Sequence, residues 1–416
     1  MRESLHGVIL LTLTIAVGCQ REDPAQTEQR QSQTSQLDAQ GEERLRQAAL
    51  VGADDNKPRQ VFRFFKDLMG TRFHLQLVGY DQQTANSAAR AAFNEVARVE
   101  RLVSSWRDDS EIGALNLAAG TSSVPLSLES AWLLCRSAEI TKASEGTFDV
   151  TWAALKGLWS FRRPRLPDDH ELKRRLTLVG IDRLSIIREH SVSSSKIKRN
   201  ETSGDLSGCD SFGPPPPPPP WSRFSASPPV EWSQRWQASL NHSEAKIDLG
   251  GIAKGFGIDQ AARVLDRLGY RDYLVDGGGD LLASGRTLDE TPWSVGIAHP
   301  RKRSMWGRLW VPSGWSVVTS GDYERYFLHE GRRYHHIIDL RTGYPAQASV
   351  AVTVIARSAM LADAYATALF VLGPRDGLAL AEITPELEAI FFTPDGDVTF
   401  TEGARVFSHH LSSRWR

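Results

Sequence analysis

The sequence predicts an α/β fold of mixed α+β character, and three observations carry that prediction. Strand-like and helix-like stretches interleave without a strict strand–helix–strand period. Hydrophobic residues make up 41% of the 416-residue chain, enough for a sizeable core. Glycine turns end strand-like runs near Asp248, Asp280 and Ser320, so acidic or hydroxyl groups stand beside bare backbone. The net charge of −1 supplies no basic field for nucleic acid, and that class is set aside.

At the N-terminus, the apolar run Val8–Val17 is too short for a permanent membrane helix. It leads into Ala16-Val17-Gly18-Cys19, a secretory pattern that resembles a bacterial lipobox, with Cys19 as the lipidated residue. A plain signal peptide is the alternative. The expectation is an exported protein on the periplasmic side of a bacterial membrane, with residues 1–19 as leader and Cys19 as lipid anchor. Residues 20–58 are polar and poor in large apolar side chains, as in a disordered tether.

The folded body is expected over 59–416. Val61–Phe65 and Phe73–Val78 read as strands around Met69-Gly70-Thr71. Asp81–Trp106 reads as a long helix with Phe93, Val96, Val99 and Val103 on one face. Ser110 opens a further helical stretch towards Asn116, and Ser130–Ala143 forms another, stopped at Gly146. His170–Leu178 is a short helix. The low-complexity stretch 190–236 contains the unbroken proline run Pro214–Pro220, a stiff rod that no core accepts, so it reads as a disordered surface insertion. Cys135 and Cys209 read as free thiols, because nothing in their spacing asks for a bridge.

Lys246–Ile258 is the stretch around which the rest is organised. Ile247 and Leu249 flank Asp248 as a strand end would, Gly250-Gly251 clears the turn, and a helical pattern follows Lys254. A strand turning through glycines into a helix exposes N–H groups at a positive helix end, a seat for phosphate. The Walker A ending and the Rossmann glycine fingerprint are both absent. Further strands are expected at Tyr273–Val275, Trp293–Ile297, Val317–Val318, Tyr334–Asp339 and Ser349–Ile355. Ala359–Leu372 reads as a helix ended by Gly373, with a hairpin turn at Pro394-Asp395-Gly396.

Asp363 and Thr367 lie four residues apart on one face of that otherwise apolar helix, so both need a partner. With a backbone carbonyl they would make an incomplete hard-oxygen site of the sort Mg²⁺ accepts. His336, at a strand end beside glycine turns, is a candidate acid or base.

Together these motifs resemble the ApbE family of FAD:protein FMN transferases over roughly 60–403. The residues that carry the resemblance are Met69-Gly70-Thr71, Trp106 with 110–116, Phe148-Asp149-Val150-Thr151 with Leu158-Trp159, and 247–255. Gly278-Gly279-Asp280, Thr319-Ser320-Gly321, 336–339 with Thr342-Gly343, and Ala362-Asp363 with Thr367 complete it. Leu340 and Ala154 stand where the family usually has proline, and neither offers chemistry.

The resemblance implies a two-lobed body with mixed sheets and an FAD cleft between the lobes. It implies Mg²⁺-dependent transfer of FMN from FAD to a Thr or Ser hydroxyl of an acceptor flavoprotein, with release of AMP. It places Met69, Trp106, Thr147, Phe148, Asp149, Asp248 and Lys254 around FAD. The metal falls to Asp363, Thr367 and the Gly251 carbonyl, and the base to His336. Competing readings are an FAD pyrophosphatase and an FAD-binding lipoprotein without catalysis.

Overall fold

Met69 and Gly70 set the first turn: both take positive φ, 51° and 72°. This two-residue loop joins β1 (Gln60–Leu68) to β2 (Thr71–Gly79), and such a turn matches the twist of the strands it connects. The computed structural model describes residues 58–161, 163–188, 204–211, 236–408 and 411–415. The expected leader and all but the last residue of the expected tether lie outside them. No helix among the described residues is long and apolar enough to cross a membrane.

Strands follow in chain order as β3 (Val124–Leu126), β4 (Leu184–Arg188), β5 (Trp236–Leu240), β6 (Tyr273–Gly277), β7 (Asp280–Ser284) and β8 (Trp293–Ala298). After them come β9 (Met305–Val311), β10 (Trp315–Gly321), β11 (Tyr326–His329), β12 (Arg332–His335), β13 (Ile338–Asp339), β14 (Tyr344–Pro345), β15 (Ala351–Ala356), β16 (Leu387–Phe392) and β17 (Val398–Phe400). The helices are α1 (Gln82–Val103), α2 (Glu111–Leu117), α3 (Leu128–Ala143), α4 (Asp169–Leu176), α5 (Ala253–Arg267), α6 (Ala359–Leu372) and α7 (Pro374–Ile383). An eight-stranded sheet runs β1-β2-β6-β7-β10-β15-β16-β17, and β3-β5-β4 form a smaller one. Every pairing in both sheets is antiparallel, which is why no βαβ period is visible in the sequence.

Helices cover one face of the large sheet. Ala89, Phe93 and Val96 of α1 and Ile258, Ala262 and Leu265 of α5 share a core with Phe73, Leu75 and Val275. Helix α6 is apolar apart from the face that carries Asp363 and Thr367, and it is enclosed, packing Ala366, Leu369 and Phe370 with Val318, Val352 and Val354. The hairpin β8–β9 and the C-terminal segment cover the opposite face, where Trp293, Leu309, Phe407 and Trp415 meet Val317, Ile355 and Ile390.

The stretch expected as a free insertion is partly built into the body. Trp236 is 4% exposed and begins β5. Residues 204–209 dock on β4: Ile186 N–H donates to Asp205 O at 2.6 Å, and Asp205 N–H donates to Ser185 Oγ at 3.0 Å. Leu206 and Cys209 pack against the main core. The two cysteines expected as free thiols instead form a disulfide across 74 residues of chain. Their proximity comes from α3 and the docked segment meeting, which no local spacing encodes. Closing so long a loop restricts the unfolded chain and contributes roughly 2–4 kcal/mol. Cys209→Ser should therefore lower the melting temperature by several degrees under oxidising conditions, and reductant should move the wild type towards the variant. Equal melting temperatures for the two proteins without reductant would show that the bridge contributes nothing.

Candidate active site

The turn Asp248–Lys254 gathers two clusters of side chains. The approach to it is fixed by Asn116 at the end of α2, whose Nδ2 donates to Ile247 O at 2.9 Å while its Oδ1 accepts the Ile247 N–H at 2.7 Å. Asp248 N–H then donates to Val150 O at 2.8 Å. The buried Asp248 carboxylate accepts the Gly250 N–H on Oδ1 at 2.8 Å, while Oδ2 accepts the Ser105 hydroxyl and pairs with Lys156 Nζ. Lys156 also donates to Ser105 Oγ at 2.9 Å and lies 4.2 Å from the ring centre of Trp106 and 5.4 Å from that of Trp152.

The second cluster lies where α5 crosses α6. Lys254 Nζ pairs with Asp280 at the start of β7 and stands 3.6 Å from Asp363 Oδ1. Asp363 Oδ2 accepts the Gly255 N–H at 3.0 Å. The crossing depends on glycine, since a Cβ on Gly255 would stand 2.1 Å from the Ala359 carbonyl oxygen. One helical turn on, the Asp259 carboxylate accepts the N–H groups of Ala359 and Met360 at 2.8 and 3.0 Å and the Ser358 hydroxyl at 2.6 Å. Burial raises the Asp259 pKa against those donors. Asp259 thus seats the first turn of α6, and α6 carries Asp363. Thr367 comes next to the glycine turn: a Cβ on Gly251 would lie 3.7 Å from Thr367 Oγ1 and 3.3 Å from the Phe148 ring.

Gly251 O, Asp363 and Thr367 offer only hard oxygens and a single carboxylate. Among the described residues, no group of three or more His, Cys, Asp or Glu side chains could hold a metal. An ion held by this donor set would keep water and phosphate oxygens in its remaining positions, which suits Mg²⁺.

The other residues fall at varying distance from these clusters. Met69 sits at the β1–β2 turn, its sulfur 3.1 Å from where a Cβ on Gly257 of α5 would be. Thr147 Oγ1 donates to Ala368 O at 3.2 Å, beside Thr367. Asp149 is a buried cap, accepting the Thr151 N–H and hydroxyl at 2.8 and 2.7 Å, and burial raises its pKa. The expected strand Tyr334–Asp339 is broken at His336. β12 ends at His335, whose Nε2 bonds Ala346 O at 2.7 Å and whose Nδ1 accepts the Ile337 N–H at 3.3 Å. His336 donates its N–H to Arg325 O at 3.1 Å, and its Nδ1 has no partner. Burial, with His335 and Arg325 alongside, lowers its pKa to about 4. Among the described residues, no hydrogen bond or ion pair joins His336 to Lys254, Asp280 or Asp363.

A cavity of about 670 Å³ opens elsewhere, between α3, α5 and the start of α6, lined by Trp132, Phe256, Tyr273 and Tyr365. None of the sequence-derived site residues lines it, so the site is placed by its polar groups and not by this cavity. Lys156, Ser105 and Asp259 escaped the sequence reading. Lys156 and Ser105 meet Asp248 only through the fold, while Asp259 lies among the apolar positions Phe256, Ile258 and Ala262 of its helix.

The sequence model described as the ApbE family matches residues 69–391. An FAD:protein FMN transferase from Haemophilus influenzae is 30% identical over 345 residues, covering 80% of this chain and 87% of that protein. One from Treponema pallidum is 32% identical over 330 residues, covering 76% and 80%. Among solved structures, the flavin transferase ApbE from Vibrio cholerae superposes with a TM-score of 0.65 at 25% identity, covering 84% of this chain and all of that one.

Proposed function

The chain belongs to the ApbE family, and on that premise we propose that it is an FAD:protein FMN transferase, acting with Mg²⁺ on an acceptor flavoprotein. The observation that carries the reading is the convergence of Lys254, Asp280, Asp363 and Thr367 on the Gly250-Gly251 turn. Cleaving a pyrophosphate needs its negative charge offset and its nucleophile aligned. Lys254 supplies positive charge where the phosphates approach. Gly251 O, Asp363 and Thr367 would hold Mg²⁺, which supplies Lewis-acid polarisation of a phosphoryl oxygen.

In the transfer, the acceptor hydroxyl oxygen forms a bond to the phosphorus of the FMN half. The bond from that phosphorus to the bridging oxygen breaks, and AMP leaves with the electron pair. His336, neutral at physiological pH because its pKa is so low, takes the hydroxyl proton. Leader cleavage before Cys19 and its lipidation would hold this chemistry at the periplasmic face of a membrane. The Cys135–Cys209 bridge supports an oxidising location.

Incubation with FAD, Mg²⁺ and an acceptor flavoprotein should give a fluorescent acceptor band on a denaturing gel. No band, with FAD consumed, would favour water as nucleophile and hence the pyrophosphatase.

A further inference from the structure

We propose that Lys156 is a specificity-determining positioning residue, which presents Trp106 as a stacking platform for one planar ring of FAD and neutralises Asp248 for the pyrophosphate. The inference rests on the transferase reading above. Trp106 is 82% exposed beside a polar cluster, so its indole is open to a ligand. Lys156 Nζ stands 4.2 Å from its ring centre, a cation over an indole face. One face of the indole is thus engaged by the ammonium, and the exposed remainder of the ring is left for a ligand. Trp152, 5.4 Å from the same ammonium, closes the lysine in from another side.

The same Nζ pairs with Asp248 Oδ2 and donates to Ser105 Oγ at 2.9 Å. Ser105 and Trp106 are consecutive, so one lysine fixes both the residue that anchors to Asp248 and the residue that faces outward. Unpaired, the Asp248 carboxylate would repel a pyrophosphate anion arriving at the glycine turn two residues away. With Lys156 beside it, the negative charge is offset locally, and both carboxylate oxygens already hold donors. FAD carries two planar heteroaromatic rings, adenine and isoalloxazine, and either could stack on an indole. The shared chemistry is a flat ring joined to a phosphate, which is what an exposed tryptophan beside a neutralised carboxylate suits.

The test is direct FAD binding by calorimetry on the full chain, together with transfer kinetics. Lys156→Met should weaken FAD about tenfold and raise KM in proportion, with kcat nearly unchanged. Trp106→Ala, on an exposed side chain that folding does not need, should do the same. The double variant should be no worse than Lys156→Met alone, and Lys156→Arg should restore binding because guanidinium also pairs and stacks. AMP and FMN as separate probes identify the ring: the variants should lose affinity for the one whose ring stacks. Affinities within twofold of wild type for FAD, AMP and FMN, or additive losses in the double variant, would overturn the proposal while leaving the transferase reading intact. Failure of the wild type to bind FAD would overturn both.

Discussion

Asp363→Asn should abolish Mg²⁺-dependent AMP release while the protein still folds. Asp363 is 6% exposed on an apolar helix, where an uncompensated carboxylate is costly. Its Oδ2 accepts the Gly255 N–H at 3.0 Å, and an asparagine oxygen can do the same. Shape and hydrogen bond therefore survive the change, and only the negative charge goes. That charge is what Lys254 faces and what a divalent cation would need. Losing an electrostatic contribution of this kind costs on the order of 10³-fold in rate. Single-turnover AMP release, read beside a thermal melt, checks both halves of the expectation. Wild-type transfer in this variant, or undiminished activity in excess EDTA, would remove the metal from the account.

His336→Ala is the second large effect. Loss of a general base costs roughly 10²–10⁴-fold, and FAD affinity should hardly move, because His336 shares no bond with the Lys254 cluster. Its lowered pKa adds a pH signature. The imidazole must be neutral to take a proton, so the rate governed by it should persist through pH 6.5 and fall only as pH drops through about 4. Linkage gives the matching sign for stability. The unfolded chain binds the proton from about pH 6.5 downward and the folded chain does not, so this residue destabilises the fold as pH falls between those values. Transfer assays across pH 4–8 in wild type and variant measure it. A variant with unchanged turnover would make His336 structural, as His335 already is.

Legibility in the sequence followed the range of the interaction. Helix α1 was readable because Phe93, Val96, Val99 and Val103 repeat at helical spacing, and its observed span lies inside the expected one. Asp363 and Thr367 were readable because two polar residues in an apolar helix ask for a partner. The rest depended on contacts the sequence does not encode locally. Lys156 meets Asp248 across 92 positions, and Cys135 meets Cys209 across 74. Asp149, read by resemblance as a pocket residue, accepts the N–H and hydroxyl of Thr151 and caps a local turn. The single strand expected over Tyr334–Asp339 is broken: β12 ends at His335, whose ring bonds Ala346 and Ile337.

In the proposed transfer the phosphoryl group goes to a protein hydroxyl. The most direct measurement is the ratio of AMP released to flavin retained on the acceptor after denaturation, with the acceptor in excess over FAD. A ratio of one is expected, lost when the acceptor threonine or serine is changed to alanine. AMP release that continues at the same rate with no flavin on the acceptor would contradict it.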